Sequence, residues 1–107
     1  MPLRSIRLSL PALLLCTCAM TAFAQADSKD LYLDKCAVCH GPDGAGKTAK
    51  GRKLNMKGVK ETAAKVNEAE MIKIVQNGKG ADMSPYGKEL SAEQIKGVVA
   101  YYRSLAK

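Results

Sequence analysis

Aromatic residues are scarce in this sequence, which contains no tryptophan, one phenylalanine and four tyrosines. Histidine occurs once, as His40. With so few large apolar side chains a short chain buries little apolar surface, and small domains of this kind usually depend on disulfides, a metal or a large cofactor. The sequence also lacks aromatic residues interleaved with basic ones, on which nucleic-acid bases stack. We therefore expect no nucleic-acid partner.

The N-terminus has the pattern of a secretory signal. Two arginines precede an apolar run from Leu8 to Met20, and Ala22-Phe23-Ala24 matches the small-x-small pattern of a signal-peptidase site. The run is too short for a good membrane span. We predict a Sec-type signal over residues 1–24 that is removed, with a cut after Ala26 as the close alternative. Residues 25–107 then form a periplasmic domain without stable membrane insertion.

Two other uses of this N-terminus compete with a cleaved signal. A retained membrane anchor is disfavoured by the short apolar run. A lipoprotein site at Cys16 or Cys18 is disfavoured because Leu15 and Thr17 are poor residues just before such a cut.

Removal of the signal lowers the formal net charge from +7 to +5, since two arginines leave. It also leaves Cys36 and Cys39 as the only cysteines, so the mature domain can form at most one disulfide.

Helical signals dominate the mature domain, and no strand-like alternation appears. Asp27 and Ser28 are good N-cap residues for a first helix. Asn67 with Glu70 opens a second, and Ser91 with Gln94 forms a capping box for a third. The stretch between residues 40 and 60 is rich in Gly and Lys and is predicted to be irregular. We expect one all-α domain of three to four short helices with long loops. The predicted helices run from Asp27 or Ser28 into Cys36, from near Asn67 to Gly78, and from Ser91 to about Leu105.

Cys36-Ala37-Val38-Cys39-His40 has the C-x-x-C-H spacing typical of covalent haem attachment. Each of the two thiols can add to one vinyl group on an edge of the porphyrin and form a thioether. The following imidazole can then turn under the iron, so one short turn both tethers the ring and supplies an axial ligand. The motif predicts one covalent haem c, bound through Cys36 and Cys39, with His40 as a ligand of the iron.

Three other sites use similar residues. A disulfide oxidoreductase also carries C-x-x-C outside the cytoplasm, but it normally accompanies a βαβ pattern, which is not visible here. A structural zinc site needs about four ligands, and two cysteines with one histidine fall one short. A plain disulfide between Cys36 and Cys39 would close a very small loop and add little stability.

The second axial ligand cannot be histidine, because the chain has only one. Methionine is the next common choice, and the mature chain offers Met56, Met71 and Met83. Met71 falls on the apolar side of the second predicted helix, where core packing explains it. Met83 is the best candidate, because it follows two glycines that allow close approach to a flat ring and precedes a proline that stiffens the segment. Met56 stays open as an alternative.

The stretches "LYLDKCAVCHGPDGAG" and "MSPYGKELSAEQIKGVVAYYRSL" resemble the small monohaem class I cytochromes c of bacteria, over about residues 28–106. The resemblance implies a class I cytochrome c fold wrapped around one haem, with the first and last helices crossing and Tyr101 meeting Tyr32. It also implies that Met83, just before the final helix, is the axial methionine. Two features depart from many relatives. Ser84 separates the methionine from a proline, and residues 46–55 lack the proline that places a carbonyl against the histidine.

An iron held by both His40 and Met83 has no open position for a substrate. We therefore expect a one-electron carrier that shuttles between redox partners, and not an enzyme. The alternatives are a haem-based ligand-binding or sensor module, in which Met83 is absent from the iron, a thiol oxidoreductase, and a fixed electron-transfer subunit of a dehydrogenase. We expect a monomer whose redox partners are acidic, since the positive charge concentrates on lysines of one loop; a solvated basic surface is the plain alternative. The lysines of that loop are Lys47, Lys50, Lys53, Lys57 and Lys60.

Overall fold

The structure, a computed structural model, describes the backbone of residues 18–107 and the side chains of residues 27–107. Residues 1–17, which belong to the predicted signal, lie outside the described residues. Between residues 18 and 107 the chain forms no strand, and an isolated antiparallel bridge joins Lys79 to Met83. The helices are α1 Cys18–Lys35, α2 Ala37–His40, α3 Ala49–Lys53, α4 Val59–Lys65, α5 Glu68–Asn77 and α6 Ala92–Ser104.

The caps of α5 and α6 lie where the sequence predicts them. Ser91 Oγ accepts a hydrogen bond from Gln94 N at 3.1 Å, and Gln94 Oε1 accepts one from Ser91 N at 2.9 Å, which completes the capping box of α6. Asn67 Oδ1 accepts from Glu70 N at 2.9 Å at the start of α5. The same helix ends at Gly78, whose φ of 76° suits glycine. These helix ends are decided by local chemistry alone.

Two expectations about local structure are wrong. Helix α1 begins at Cys18 and not at Asp27 or Ser28, since an N-cap residue favours a helix start without preventing the helix from extending past it. The segment from residue 40 to residue 60 is also not wholly irregular, because it contains α3 and the start of α4. Helices of five and seven residues are too short to show a 3.6-residue periodicity in sequence.

Helices α1 and α6 pack across each other, as the family resemblance implies. The Tyr32 and Tyr101 rings lie 5.2 Å apart between centroids, and Tyr32 and Tyr102 lie 6.0 Å apart. A Cβ added to Gly97 would overlap Ser28 Oγ, so the absence of a side chain at Gly97 lets the helices approach. The predicted contact between Tyr32 and Tyr101 is therefore confirmed.

The core joins α6 to α5 and to the segment before α6. Met71, Leu90, Ile95 and Val99 form a buried cluster, with Tyr86 among the half-buried residues around it. Buried apolar side chains are few among the described residues, which agrees with the composition. None of the helices between residues 18 and 107 is both long and apolar enough to cross a lipid bilayer.

Candidate haem site

The C-x-x-C-H motif forms a single helical turn directly after α1. Cys36 N donates to Tyr32 O at 2.9 Å, which continues the hydrogen bonding of α1 into the motif. His40 N and Cys39 N then both donate to Cys36 O, at 2.9 and 3.2 Å. In one helical turn, residues three apart share a face, so the two thiols point to the same side. Both cysteines are half-buried free thiols.

One cavity of about 590 Å³ has all four predicted haem-binding residues in its wall: Cys36, Cys39, His40 and Met83. Its volume lies in the usual range for sites that hold a cofactor or another small molecule. The wall also includes side chains from α1, α4, α5 and α6, so the helices that surround the cavity come from both ends of the described chain. The fold thus brings the predicted ligands together in the wall of one cavity.

Burial sets the protonation of the motif. It lowers the pKa of the His40 imidazole, which favours the neutral form that binds metals. It also raises the pKa of Cys36 to about 11, with a further increase from the neighbouring Cys39 and a small opposing effect of Lys35. Reactive cysteines of disulfide oxidoreductases have lowered pKa values instead. The environment of Cys36 therefore speaks against redox chemistry at this thiol.

Two buried polar atoms in the cavity wall have no hydrogen-bond partner, His40 Nδ1 and the Tyr102 hydroxyl. Their rings meet edge to face, with centroids 5.2 Å apart. Buried polar groups are nearly always hydrogen-bonded, so partnerless atoms around a cavity indicate a site that a ligand completes. A neutral imidazole, two thiols on one turn and a largely apolar cavity together fit a covalently held haem.

Hydrogen bonds from three elements hold the motif in place. The Tyr32 hydroxyl donates to Gly41 O at 2.7 Å in a buried contact. Gly46 N donates to His40 O at 2.8 Å. The Thr48 hydroxyl lies 2.8 Å from Val38 O and 3.1 Å from Cys39 O. The turn is thus fixed to α1 on one side and to the following loop on the other.

Residues 23–101 match the sequence family described as cytochrome C oxidase, cbb3-type, subunit III. The chain belongs to this family. A curated relative, the Cbb3-type cytochrome c oxidase subunit FixP of Azorhizobium caulinodans, is 29% identical over 76 residues, which make up 71% of this chain and 25% of the relative. The chain therefore spans about a quarter of the length of that relative.

Two similar solved structures are a c-type cytochrome and a mutant of the same protein. KustC0563 c-type cytochrome is 31% identical, has a TM-score of 0.69 and covers 76% of this chain and 99% of its own. A tyrosine-to-phenylalanine mutant of Kustc0563 is 30% identical, with a TM-score of 0.67 and coverage of 74% and 98%. The predicted all-α cytochrome c fold is confirmed, and covalently bound haem c is the cofactor of this cytochrome.

Three methionines line the cavity of this cytochrome, and their surroundings differ. Met71 is 5% exposed and belongs to the core, and its Sδ accepts a hydrogen bond from Arg103 Nη1 at 3.8 Å. The Met56 side chain packs over Gly46, where an added Cβ would lie 3.2 Å from Met56 Cγ. Among the described residues, the Met83 side chain has neither a hydrogen bond to its sulfur, as Met71 has, nor a close approach to a glycine, as Met56 has.

The backbone of Met83 is held firmly although its side chain lines the cavity. Met83 and Lys79 exchange two backbone hydrogen bonds, at 2.9 and 3.2 Å, across a tight turn. A Cβ on Gly78 would lie 2.6 Å from Met83 O, so only glycine allows this close approach. The two glycines that the sequence singled out thus shape the turn, and Gly78 makes the contact with Met83.

Sequence reasoning missed several residues of the site. Thr48 caps α3 by accepting from Gly51 N at 2.9 Å while its hydroxyl faces the motif. A Cβ on Gly51 would overlap the carbonyl oxygens of Cys39 and Gly46. A threonine three residues before a helical glycine is a weak N-cap signal that could have identified Thr48. The roles of Tyr102 and Arg103 depend on contacts between distant elements and have no local signal.

Charged side chains also lie in the cavity wall. Lys35 pairs with Glu89 at 2.7 Å, and Lys65 pairs with Glu61 at 3.0 Å. Three further lysines of the wall, Lys50, Lys57 and Lys79, take part in none of the ion pairs between described side chains. Two of those three belong to the basic loop that the sequence predicts as a positive face. The lysines of the wall are Lys35, Lys50, Lys57, Lys65 and Lys79, and its acidic residues are Glu61 and Asp82.

Proposed function

We propose that this chain is a periplasmic one-electron carrier in which Cys36 and Cys39 hold haem c through thioethers and His40 and Met83 are the axial ligands. The observation that carries the proposal is the single cavity whose wall contains all four side chains. When bound, the haem exchanges one electron at its iron. We further propose that residues 1–24 are a signal that is removed and that residues 25–107 are the mature domain.

The protein residues decide how the haem is used. His40 supplies a neutral nitrogen ligand, since burial lowers its pKa. Met83 supplies a soft thioether, which favours ferrous iron and raises the potential relative to a second nitrogen ligand. With both positions taken by side chains, no position is left for oxygen or a substrate. A haem-based sensor needs an open position on the iron, so it is the alternative in which Met83 does not bind the iron.

The lysines around the cavity support acidic redox partners. Lys50, Lys57 and Lys79 are placed in its wall, and the mature chain has a formal net charge of +5. A positive surface steers an acidic partner toward the cavity and raises the association rate at low salt. We propose that a monomer forms short-lived complexes of this kind, without nucleic acid and without stable membrane insertion.

A fixed subunit of a larger electron-transfer complex is the second candidate. The FixP relative is described as an oxidase subunit, although this chain matches only a quarter of its length. Purification from the native host at physiological salt separates the candidates. A free carrier elutes at the mass of one chain with one haem, whereas a subunit coelutes with a larger complex.

The axial methionine is tested by changing Met83→Ala and Met56→Ala in the holoprotein. Both residues line the cavity, so Met56→Ala is the matched control for lost volume. We expect Met83→Ala to keep covalent haem but to lose the far-red sulfur-to-iron band of the ferric protein and to lower the midpoint potential. Met56→Ala should keep both properties. A far-red band that survives in Met83→Ala and disappears in Met56→Ala would transfer the ligand role to Met56.

A further inference from the structure

No hydrogen bond from the described residues sets the rotation of the His40 ring. His40 Nδ1 is buried and has no partner among them, and Gly46 N donates to the backbone carbonyl of His40 and not to its ring. The last torsion of a histidine side chain has broad minima, so the side chain alone does not select one ring orientation. In metal sites the free ring nitrogen normally donates to a carboxylate or a backbone carbonyl, which fixes the ring. In His40 another kind of contact has to do this.

Tyr102 on α6 supplies such a contact. Its ring meets the His40 ring edge to face, with centroids 5.2 Å apart and an interplanar angle of 65°. Aromatic pairs prefer this geometry, because the positive edge of one ring then faces the negative face of the other. Among the described side chains, no second aromatic ring contacts His40. A flat, bulky group against the imidazole restricts its rotation.

Tyr102 is itself held in a fixed position relative to the motif. Its ring stacks on Tyr32, with centroids 6.0 Å apart and an interplanar angle of 29°. Tyr32 is 1% exposed, and its hydroxyl donates at 2.7 Å to Gly41 O, the carbonyl of the residue after His40. The contacts thus form a closed path from the motif through α1 and α6 back to the His40 ring. Such a path leaves the Tyr102 ring little freedom to move away from the imidazole.

We propose that Tyr102 is the positioning residue that fixes the rotation of the His40 imidazole in the holoprotein. The inference rests on the proposed function, in which His40 binds the iron. The plane of an axial imidazole decides how the unpaired electron density of low-spin ferric haem is distributed over the porphyrin, because the ligand orbital overlaps with iron orbitals of one orientation only. Tyr102 therefore influences which part of the haem edge carries the density that is exchanged with a partner.

The test compares ferric holoproteins by proton NMR, since the shifts of the haem methyl signals report the orientation of the axial imidazole. Tyr102→Leu removes the ring, whereas Tyr102→Phe keeps the ring and removes only the hydroxyl. We expect Tyr102→Leu to narrow the spread of the methyl shifts or to change their order, because the imidazole can then rotate. Tyr102→Phe should retain the spread and the order of the unmutated protein.

Tyr101→Leu is the matched control, since it removes a tyrosine ring from the same helix. The Tyr101 ring packs against Tyr32, with centroids 5.2 Å apart, and Tyr101 is not part of the cavity wall. The methyl shifts should stay close to those of the unmutated protein, because Tyr32 keeps its stacking on Tyr102 in this variant. Unchanged methyl shifts in Tyr102→Leu would overturn the inference, and so would an equally large change in Tyr101→Leu or in Tyr102→Phe.

The inference and the proposed function fail separately. Covalent haem and the far-red band of the unmutated protein test the proposed function, whereas the methyl shifts of the variants test the role of Tyr102. If Tyr102→Leu does not fold, NOE contacts in the unmutated ferrous protein decide the case. The ring protons of His40 should show NOE contacts to the ring protons of Tyr102, and the absence of these contacts would reject the proposal.

Discussion

Thr48 connects the folding of a short helix to the position of the haem-binding turn. One hydroxyl accepts from Gly51 N at the start of α3 and contacts Val38 O and Cys39 O in the motif. Neither connection is long-range in sequence, yet together they set where the loop begins after His40. The side chain thus fixes the backbone of the motif to the start of α3, while His40 Nδ1 has no hydrogen-bond partner among the described residues.

We expect Thr48→Val to lower the free energy of unfolding of the holoprotein by about 1–3 kcal/mol, because it removes an N-cap and leaves motif carbonyls without their donor. Thr48→Ser keeps the hydroxyl and should stay within about 0.5 kcal/mol of the unmutated protein. Urea denaturation followed by haem absorbance measures both variants. Equal stability of the two variants would show that the hydroxyl has no structural role.

The motif residues were predictable because their chemistry is local. Two thiols and a histidine at the C-x-x-C-H spacing need only one turn of backbone, and the structure forms that turn from residues 36–40. The choice of Met83 as the second ligand stays a prediction, since three methionines line the cavity and the difference between them depends on contacts. The hydrogen bond from Arg103 to Met71 Sδ, which joins α6 to α5, cannot be read from spacing.

At the scale of helices, capping chemistry was a good guide and periodicity was not always available. Ser91 and Asn67 mark the starts of α6 and α5, because each side chain accepts a hydrogen bond from the backbone N–H three residues further on. Helices α3 and α4 were missed because five and seven residues are too few to show the 3.6-residue periodicity of apolar side chains that indicates a helix. The position of α3 depends on packing against the motif, where Gly51 meets Cys39 O.

The crossing of α1 and α6 depends on Gly97, which the sequence did not single out. A glycine inside a helix costs about 1 kcal/mol relative to alanine, so its presence in α6 calls for a packing reason. Ser28 provides that reason, since its Oγ occupies the space that a Cβ of residue 97 would take. The crossing also brings Tyr32 against Tyr101, so both contacts belong to one interface.

We expect Gly97→Val to destabilise the holoprotein by about 2–3 kcal/mol, because a branched side chain would force α1 away from α6. Ala100→Val places the same side chain on the exposed side of α6 and should cost less than about 1 kcal/mol. Thermal unfolding of the two ferric holoproteins gives the comparison. If Gly97→Val and Ala100→Val were equally stable, the close approach of the two helices would not matter for stability.

At the scale of the whole molecule, a large cavity lies beside a small apolar core. The described chain buries few large apolar side chains, and its largest fully buried ones are Tyr32 and Ile95. Helices α1, α4, α5 and α6 all contribute to the wall of the cavity. Without a large group in this cavity, a domain of this size would lack many of the apolar contacts that offset its loss of chain entropy. The covalent haem of the family therefore completes the fold as well as the redox site.

We expect Cys36→Ala/Cys39→Ala, produced without attached haem, to lose cooperative unfolding and most of its fixed tertiary packing. The thioethers would be absent, and the cavity of about 590 Å³ would have no covalently retained occupant. Far-ultraviolet circular dichroism and heat-induced unfolding test this, with Cys36→Ala alone as the control, since Cys39 still allows one thioether. That control should keep haem in denaturing gels at reduced yield and should unfold cooperatively. A colourless double variant with the helix content and sharp transition of the holoprotein would show that the polypeptide folds around its own side chains, and the structural role assigned to haem would then be wrong.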